Sequence, residues 1–550
     1  MDNFDNEIWA YSLKNAIEYD KVDSGRIMPK LFRHGLDKKD IGKIMPKIQE
    51  IVKKVNSMSK EERINENKKY EKYALESDLR KEGELPELEN AIKGKVVMRL
   101  APEPSKYNHI GHALVFLIQY FYAKEYNGKC ILRFDDTNPE KSSKEYYYAM
   151  KEDLQWLGIK WDEEIIASND MKKMYELAEK LITKKGAFVC SCSQEEVKNL
   201  REKGKECKCR KKSVQENLKE WKLMLDGKFK EGERTLRLIG DMKSNNGVMK
   251  DPILFRISFA KHFIQKDKYC VWPTYDFENP IEDSLNGVTH VIRTNEFELR
   301  NELHQKILNL LGLKQPEIRE IGRYQITGAE TQGRIIREMI ETNKIKGWDD
   351  PRLVTIKALR RRGFVPEMFN QMARTVGLSK SGGHINPTVM ESINRGIIDK
   401  SSNRYSFVEN PIELKIKNSP KIKEIEVSLH PDKSEKRKIK IGKSIFVSGK
   451  DFEEFSGKEI RLLHLFNIKI SGKDKAEFTS EENKDINKIN WVSEGVKCKI
   501  LMPNGEYIEG LAEIAIDGLR EGEIIQFERF GFCKLDKKSK KSVEFCYTHK

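Results

Sequence analysis

Hydrophobic positions in the first 90 residues recur at the spacing of α-helices. One run has apolar residues at positions 8, 9, 13, 16 and 17, and a second extends from Ile41 to Val55. Charge-rich segments such as Lys60-Glu-Glu-Arg63 are typical of solvated helix faces. The pattern predicts a helical N-terminal extension in which no chemistry is visible.

Near residue 95 the pattern changes to short apolar runs that alternate with helical ones. Val96–Leu100 and Cys130–Phe134 have the composition of buried strands, and the second ends at a pair of aspartates. Helical patterns follow these strands over about residues 110–126 and 142–157. The β-α-β-α order predicts a parallel sheet with right-handed crossovers.

The rest of the chain contains an insertion, a helical stretch and a β-rich end. Residues 190–265, rich in lysine and cysteine, interrupt the strand–helix pattern, which resumes around Tyr269–Asp276 and Thr289–Arg293. From Gly322 to about Phe407 the chain is mostly helical. Short strands after it, and the hairpin signal Pro503-Asn-Gly-Glu506, predict β-barrels or a sandwich.

Composition narrows the class of protein. The 550 residues include 102 Lys+Arg and 87 Asp+Glu, which gives a formal net charge of +15 and an isoelectric point near 9.0. A nucleic-acid partner fits that charge, and so does a lysine-rich organism whose proteins are generally basic. Hydrophobic residues make up 38% of the chain, which excludes a disordered protein.

We expect a soluble, intracellular protein without a membrane segment. The longest apolar stretch, Ala113–Ala123, is too short to span a bilayer, and the acidic N-terminus lacks the apolar run of a secretory signal. Nine cysteines, an odd number in a long chain, argue against a disulfide framework.

The turn between the first predicted strand and its helix gives the sharpest chemical signal. It reads Ala101-Pro-Glu-Pro-Ser-Lys-Tyr-Asn-His-Ile-Gly-His112. A helix N-terminus has unpaired N–H groups and the positive end of the helix dipole, so it suits a phosphate. His109 and His112 share one face of the first turn and are placed to donate to phosphate oxygens. Gly111 between them lets a nucleotide approach the backbone.

His109-Ile-Gly-His112 after a Pro-x-Pro-Ser turn resembles the HIGH motif of class I aminoacyl-tRNA synthetases. The wider resemblance is to glutamyl-tRNA synthetases of the archaeal and eukaryotic type, and it covers nearly the whole chain. Further matching segments, in the family's order, are Arg133–Pro139, Trp272–Phe277, Asp283–His290, Val291–Phe297, Gly347–Leu353, Leu359–Gly363 and Ile525–Gly531.

The resemblance implies a reaction and its partners. L-Glutamate is activated by ATP with Mg²⁺ to glutamyl-adenylate and transferred to the 3′ end of tRNA-Glu, and a member that also charges tRNA-Gln fits the same sequence. Both the acceptor end and the anticodon of the tRNA are bound. A cytoplasmic monomer that binds no membrane is expected.

The implied fold is multidomain α/β, with a Rossmann-type parallel-sheet catalytic domain, an inserted acceptor-end domain and C-terminal antiparallel β-barrels. A helical N-terminal extension and a helical connector complete it. The expected boundaries are 1–92 for the extension, 93–190 and 266–325 for the two halves of the catalytic domain, 191–265 for the acceptor-binding insertion, 326–404 for the KMSKS-loop region and connector, and 405–550 for the anticodon-binding barrels.

The family's roles pass to the matching positions of this chain. Arg99 would bind the side-chain carboxylate of glutamate, Asp135 its α-amino group, and Tyr275 would line the pocket. Arg293 would set specificity, because glutaminyl enzymes have a non-basic residue there and a second positive charge favours glutamate over its neutral amide. The implied ATP site is Pro102, Pro104, Ser105, His109, Gly111, His112 and Arg334, of which the last four form the catalytic set.

The family's second signature, a KMSKS-like loop, is altered in this chain. It falls on Thr331-Gln-Gly-Arg334, with Gly333 in place of the usual lysine and Arg334 as the nearby cation. Lys106, in the histidine turn, stands where the family usually has glycine. Either Arg334 and Lys106 act as substitutes, or the chain is a weakened paralogue.

Four cysteines in the insertion form a C-x-C-x14-C-x-C pattern: Cys190, Cys192, Cys207 and Cys209. Four thiolates in paired spacing suit tetrahedral Zn²⁺, which would be structural because no ligand position is left open. The alternative is a set of four reduced cysteines without a metal.

The C-terminal region offers candidates for tRNA contact. Phe446 and Phe452 are candidates for stacking on bases. Candidates for phosphate contact are Lys433, Lys436, Arg437, Lys438, Lys440 and Lys443. Two other functions stay open: a glutaminyl-tRNA synthetase, against which Arg293 argues, and a non-catalytic tRNA-binding paralogue, which the altered loop suggests.

Overall fold

The computed structural model describes residues 4–19, 21–22, 24–34, 36, 40–74, 84–380, 382–442, 444–472, 474–539 and 542–550. Lys443, one of the candidate phosphate contacts, lies outside the described residues. The chain separates into two compact units, Met1–Pro86 and Glu87–Lys550, and each is described by itself.

The first unit is helical. Its helices are α1 (Asp5–Tyr19), α2 (Ser24–Arg33), α3 (Ile41–Ser57) and α4 (Lys60–Tyr70). The apolar faces predicted from the sequence meet in one core that includes Ile8, Leu13, Ile27, Leu31, Ile48, Ile51 and Val55. Ser59 starts α4 through a capping box with Glu62, in which side chains and backbone N–H groups pair reciprocally. The buried Arg63 side chain donates to backbone carbonyl groups of three residues within the unit.

The second unit contains the remaining elements. Its helices are α5 (Ile110–Glu125), α6 (Lys144–Trp156), α7 (Met171–Thr183), α8 (Gln194–Glu202), α9 (Val214–Leu225), α10 (Tyr275–Leu285), α11 (Asn301–Leu311), α12 (Gly333–Glu341), α13 (Ile356–Arg362), α14 (Pro366–Val376), α15 (Pro387–Ile398) and α16 (Gly449–Glu454). The strands up to the β-rich end are β1 (Val97–Leu100), β2 (Lys129–Phe134), β3 (Glu163–Ile166), β4 (Ala187–Cys190), β5 (Thr235–Leu238), β6 (Ile253–Ile257), β7 (Val271–Pro273), β8 (His290–Thr294), β9 (Glu317–Ile321), β10 (Tyr324–Ile326) and β11 (Gly383–Ile385).

A parallel sheet positions the site. β1 pairs with β2, β2 with β3, and β8 with β9, all in parallel register. The backbone N–H of Thr289, just before β8, donates to the carbonyl oxygen of Val97 at 3.0 Å, so the two groups of strands run side by side. The predicted succession β1-α5-β2-α6 is confirmed, and the sheet has the doubly wound character that places ligands at the carboxyl ends of the strands.

The insertion between β3 and β8 contains a four-stranded antiparallel sheet in the order β4-β5-β6-β7. Its core contains the large buried side chains of Trp221, Phe255 and Trp272, and Phe277 from α10 packs into the same cluster. Trp221 and Phe255 meet edge to face, with ring centroids 5.1 Å apart. The core is therefore continuous with the helix that carries Tyr275.

The β-rich end forms two seven-stranded sheets and a two-stranded ribbon. The strands are β12 (Asn403–Tyr405), β13 (Phe407–Glu409), β14 (Pro411–Lys417), β15 (Glu424–Ser428), β16 (Lys436–Lys440), β17 (Ile445–Ser448), β18 (Glu459–Leu462), β19 (Asn467–Gly472), β20 (Lys475–Ser480), β21 (Lys488–Ile489), β22 (Trp491–Val492), β23 (Gly495–Leu501), β24 (Tyr507–Glu513), β25 (Ile524–Phe527), β26 (Gly531–Lys538) and β27 (Val543–His549).

Both seven-stranded sheets curl towards closure. One has the order β12-β25-β26-β27-β23-β24-β13, and the other β21-β18-β19-β20-β14-β17-β22. In each sheet the two edge strands are neighbours in sequence, joined through Ser406 in one and Asn490 in the other. The two edges of each sheet therefore meet, which is the geometry of a near-barrel, and the predicted antiparallel β-barrels are confirmed.

Arg437 does not fit its predicted role as a phosphate contact. Its side chain is buried, its guanidinium is paired with Glu513, and its Nη1 donates to the carbonyl oxygen of Ser428 at 2.7 Å. The sequence pattern of a basic strand could not reveal this, because Glu513 comes from the distant β24. Within the described ranges, no helix combines the length and apolarity needed to cross a bilayer.

Candidate active site

The two histidines of the turn organise the start of α5. His109 is the N-cap residue, and its Nδ1 accepts from the backbone N–H of Gly111 at 3.1 Å. Nδ1 of His112 accepts from the backbone N–H of His109 at 3.4 Å, and the two rings stack with centroids 3.8 Å apart. Because each Nδ1 is an acceptor, each neutral ring carries its proton on Nε2. Both rings therefore present an Nε2–H donor.

The environment keeps these rings neutral. Burial, followed by the positive charges of Lys106 and Arg323, lowers the pKa of His109 to about 3. Burial, His109 and the same two cations hold the pKa of His112 well below its ordinary value. At neutral pH the pair can therefore stabilise an anion by hydrogen bonding but cannot act as general acids.

A second segment holds the turn in place. The backbone N–H of Ile110 donates to the Val354 carbonyl oxygen at 3.2 Å, and that of Ile356 donates to the Asn108 carbonyl oxygen at 2.9 Å. Tyr107 stacks on Trp348 with centroids 5.3 Å apart. The segment Gly347–Leu353, which the sequence marks only as a motif, thus begins a stretch that supports the histidine turn.

The remaining residues of the predicted ATP site line the same turn. The carbonyl oxygen of Pro102 accepts from the backbone N–H of Asp135 at 3.1 Å, and that of Pro104 from Ser143 at 3.0 Å. At Gly111 a side chain would be crowded, because a Cβ would lie 3.0 Å from the His109 ring and 3.2 Å from the Tyr324 carbonyl oxygen.

The altered loop lies against the histidine turn. Gly333 begins α12, and a Cβ added there would lie 3.1 Å from Cδ and 3.2 Å from Cβ of Lys106. Arg337, one turn further along α12, donates from Nη1 to the Ser105 carbonyl oxygen at 3.0 Å. Arg334 is exposed and makes no hydrogen bond or ion pair with any described residue. Arg337, to which the sequence analysis assigned no role, is thus the arginine of α12 that contacts the histidine turn, and the role of Arg334 stays a prediction.

A buried network of charges builds the other half of the site. Arg99 on β1 donates from Nε to Oδ1 of Asp283 at 3.1 Å, and Arg133 on β2 donates from Nη1 to the same oxygen at 2.7 Å. Nε of Arg133 donates to Oδ1 of Asp135 at 2.7 Å, and Nδ2 of Asn279 donates to Oδ2 at 3.0 Å. Burial raises the pKa of Asp283, but Arg99 and Arg133 outweigh it and leave the pKa below its ordinary value.

Tyr275 lies between this network and Arg293. Its hydroxyl accepts from Nη1 of Arg293 at 3.4 Å. Burial raises the pKa of Tyr275, while the charges of Arg293 and Arg99 oppose that rise. Asp135 also acts on the same hydroxyl, so the four residues predicted for the amino-acid pocket come together around one tyrosine.

Sequence analysis missed the residues that support this pocket. Arg133 and Asp283 lie in segments that resemble the family, and Asn279 lies between two such segments, yet no role was assigned to them. Glu278 also lies behind the pocket, where burial and the neighbouring Asp135 charge raise its pKa well above the ordinary value and favour a neutral carboxyl group. One signal was available, because a charged residue inside a buried strand, such as Arg133, requires a buried partner.

The four cysteines of the insertion form a cluster that fits a metal. Sγ of Cys190 lies 4.0 Å from that of Cys207, Sγ of Cys192 lies 3.8 Å from that of Cys209, and all four lie within 4.8 Å of one another. Tetrahedral Zn²⁺ with Zn–S bonds of about 2.3 Å needs S–S separations of about 3.8 Å. The donor set and its spacing therefore fit zinc.

The parallel sheet carries, at the carboxyl ends of its strands, both a helix N-terminus that suits a phosphate and a pocket with arginines and an aspartate, which is where doubly wound sheets bind their ligands. The family "tRNA synthetases class I (E and Q)" matches the chain with its catalytic domain over residues 95–400. Its two anticodon-binding domains match residues 402–487 and 483–536. The chain belongs to this family of class I tRNA synthetases.

Relatives match over almost the full length. The chain is 38% identical to a glutamate–tRNA ligase of Korarchaeum cryptofilum over 98% of both chains. It is 40% identical to one of Nitrosopumilus maritimus over 99% of both, and 39% identical to one of Pyrococcus furiosus over 98% of both. Among solved structures, a glutamate–tRNA synthetase of Elizabethkingia anophelis is similar with a TM-score of 0.41 at 19% identity, covering 56% of this chain and 72% of that one.

The low pKa of the histidine pair predicts that neither ring gains a proton between about pH 5 and pH 8, whereas an ordinary histidine titrates near 6.5. The measurement is an NMR titration of ¹³C-labelled histidine, with His109→Gln and His112→Gln proteins to assign the two signals. Free histidine in the same buffer is the control. A midpoint near pH 6.5 for either ring would contradict the derived charge state.

Proposed function

We propose that this chain is a glutamate–tRNA ligase. The glutamate α-carboxylate attacks the α-phosphate of ATP and pyrophosphate leaves; a hydroxyl of the terminal ribose of tRNA-Glu then attacks the carbonyl carbon of the glutamyl-adenylate, and AMP leaves. Relatives that bear this name are 38–40% identical over nearly the full length. ATP enters with Mg²⁺, as phosphoryl chemistry generally requires.

The observation that carries glutamate as the substrate is the pair of arginines around Tyr275. Arg99 and Arg293 are both buried, and Nη2 of Arg99 has no hydrogen-bond partner among the described residues. Two guanidinium groups facing one pocket favour a carboxylate over a neutral amide. Asp135 supplies the opposite charge for the α-amino group, which glutamate and glutamine share. Only the arginines therefore argue against the glutaminyl alternative.

The chemistry needs little covalent work from the protein. The Nε2–H groups of His109 and His112 would donate to phosphate oxygens in a place that burial keeps poor in water. The first backbone N–H groups of α5 already have protein acceptors, so the helix would add the positive end of its dipole. The neutral state of both rings suits that purpose, because no proton has to be taken up or lost during the reaction.

Lys106 supplies the cation that the loop lacks at Gly333. Its side chain fills the space beside Gly333, and Arg337 and Arg323 lie near enough to act on its charge. Burial and these two arginines lower the pKa of Lys106, against the opposing effect of Glu103 and Glu296. The family usually has glycine in the histidine turn and lysine in the loop, whereas this chain has Lys106 in the turn and Gly333 in the loop. The exchange keeps one cation for the departing pyrophosphate.

Gly333 is also the observation that favours a second candidate, a tRNA-binding paralogue without catalysis. The cation cluster at the turn and the complete amino-acid pocket support the enzyme instead, because a tRNA-binding protein has no use for either. Arg334 stays a prediction as a further contact to ATP.

The partners follow from the domain matches. The two near-barrels would bind the anticodon, since the anticodon-binding family domains match there, and the insertion beside the catalytic sheet would meet the acceptor end. The boundaries given above for the six segments, a monomeric state and a cytoplasmic location are part of the proposal.

In the insertion, Cys190, Cys192, Cys207 and Cys209 would hold a structural zinc that stabilises its loops.

The test of function is the charging of total tRNA with radiolabelled glutamate and, in parallel, glutamine. We expect charging with glutamate by the wild-type protein and its loss in His109→Ala, since the mutant lacks one phosphate donor and the helix cap. Preference for glutamine would establish the glutaminyl alternative. Absence of charging in a preparation that still binds tRNA would establish the binding paralogue.

The exchange of Lys106 and Gly333 predicts a reciprocal rescue. Lys106→Gly should lower kcat for charging by about a hundredfold, the effect of losing one transition-state donor. Adding Gly333→Lys to that variant should recover much of the loss, because the side chain then enters the space that Lys106 vacated. Gly333→Lys alone should clash with Lys106. Lys172→Met, on the exposed face of α7, is the control. An unchanged kcat in Lys106→Gly would remove Lys106 from the mechanism.

The zinc site predicts about one zinc per chain by elemental analysis of protein purified without chelator. Cys207→Ser should lose the metal and lower the melting temperature, because three thiolates no longer close the tetrahedron. Cys270→Ser, just before β7 and outside the cluster, should keep it. Freshly purified wild-type protein without zinc would leave four reduced cysteines as the explanation.

A further inference from the structure

Arg293 is held by a chain of polar groups that leads away from the amino-acid pocket. Its Nη2 donates to Oδ1 of Asn301, at the start of α11. Nδ2 of Asn301 in turn donates to Oε1 of Glu320 on β9. The other oxygen of Glu320 lies 3.5 Å from Nζ of Lys380. Glu320 is itself buried, so its contact with Asn301 is shielded from competing water, whereas Lys380 at the far end is exposed.

A second contact fixes the opposite side of the guanidinium. Nη1 of Arg293 lies 3.4 Å from Nδ1 of His304, as well as 3.4 Å from the Tyr275 hydroxyl. Nε2 of His304 lies 3.4 Å from Oδ1 of Asp276, which is paired with Arg300. His304 can therefore accept from Arg293 while it donates to Asp276, which sets its tautomer.

The contacts leave one edge of the guanidinium free. Of its five N–H donors, those on Nη1 face Tyr275 and His304, and one on Nη2 faces Asn301. Nε is buried and has no hydrogen-bond partner among the described residues. Nε and Nη2 share one edge of the planar group, which is the edge that binds a carboxylate with two parallel hydrogen bonds. A buried, unpaired donor on that edge points to a ligand.

The orientation of Asn301 is set by Glu320. A carboxylate only accepts hydrogen bonds and a guanidinium only donates them. Asn301 between them must therefore turn Nδ2 towards Glu320 and Oδ1 towards Arg293, because the flipped amide would make two repulsive contacts. The Glu320 carboxylate therefore holds the Arg293 guanidinium in place through Asn301, and it does not contact the guanidinium directly.

We propose that Asn301 and Glu320 are positioning residues that aim the free edge of Arg293 at the side-chain carboxylate of the substrate. The inference rests on the proposed function and adds the source of its specificity. Glutamate presents two acceptor oxygens to that edge, whereas glutamine presents one oxygen and an N–H₂ group that meets another donor. A guanidinium free to turn would pair with either substrate less selectively.

The test is steady-state charging of tRNA with glutamate and with glutamine by wild type, Asn301→Ala and Glu320→Gln. In Asn301→Ala we expect KM for glutamate to rise about tenfold, the usual effect of losing a hydrogen bond to a charged group. kcat should change little, and the preference for glutamate over glutamine should fall in proportion. The isosteric Glu320→Gln, whose amide tolerates either orientation of Asn301, should show a smaller change in the same direction. Asn309→Ala, on the exposed face of α11, is the matched control.

Two results would overturn the inference. One is a wild-type KM and preference in both variants. The other is a parallel fall of kcat for both amino acids with a lowered melting temperature, which is what a purely structural role would give. Since Glu320→Gln keeps size and shape, it remains informative if Asn301→Ala does not fold. Wild-type protein that charges no tRNA with glutamate would instead remove the proposed function, and this inference with it.

Discussion

The Asp283 carboxylate, buried between the guanidinium groups of Arg99 and Arg133, is the interaction on which the pocket depends. It ties β1 and β2 to α10, so the two central strands and the helix that carries Tyr275 are fixed to one another. Removing it would leave the buried Arg99 without a carboxylate partner and Arg133 with Asp135 alone, and breaking a buried ion pair typically costs about 3–5 kcal/mol. The same network passes through Arg133 to Asp135, so the groups for both ends of the amino acid share one support.

The charges of the pocket are balanced except where the substrate binds. Asp283 and Asp135 offset Arg99 and Arg133, and the raised pKa of Glu278 favours its neutral form. Arg293 adds a positive charge whose nearest contacts are neutral groups, namely Tyr275, His304 and Asn301. In the proposed function a substrate carboxylate would complete that balance, and a neutral amide would not. The proposed ATP site has a similar imbalance of charge. Its cations, such as Lys106, and its neutral histidine donors would bind the negatively charged phosphates.

Much of the fold and of the site could be predicted from the sequence, because strand–turn–helix order is local. The histidine turn and the parallel strands follow from motifs that each occupy a few residues, whereas the grouping of Arg99, Asp135, Tyr275 and Arg293 follows from the resemblance to the family. Contacts between distant segments could not be predicted. The sequence shows that Gly333 and Lys106 are unusual but not that one fills the space left by the other. The sequence likewise shows Arg437 in a basic strand but not the buried ion pair that Arg437 forms with Glu513.

The most direct measurement is a crystal structure of the protein with a non-hydrolysable sulfamoyl analogue of glutamyl-adenylate. We expect the side-chain carboxylate within hydrogen-bonding distance of Arg99 and of the free edge of Arg293, and the α-amino group against Asp135. The linker that replaces the phosphate should lie beside Nε2 of His109 or His112. A side chain bound away from both arginines, or an Arg293 turned to a protein acceptor in the complex, would show that the two arginines do not select glutamate.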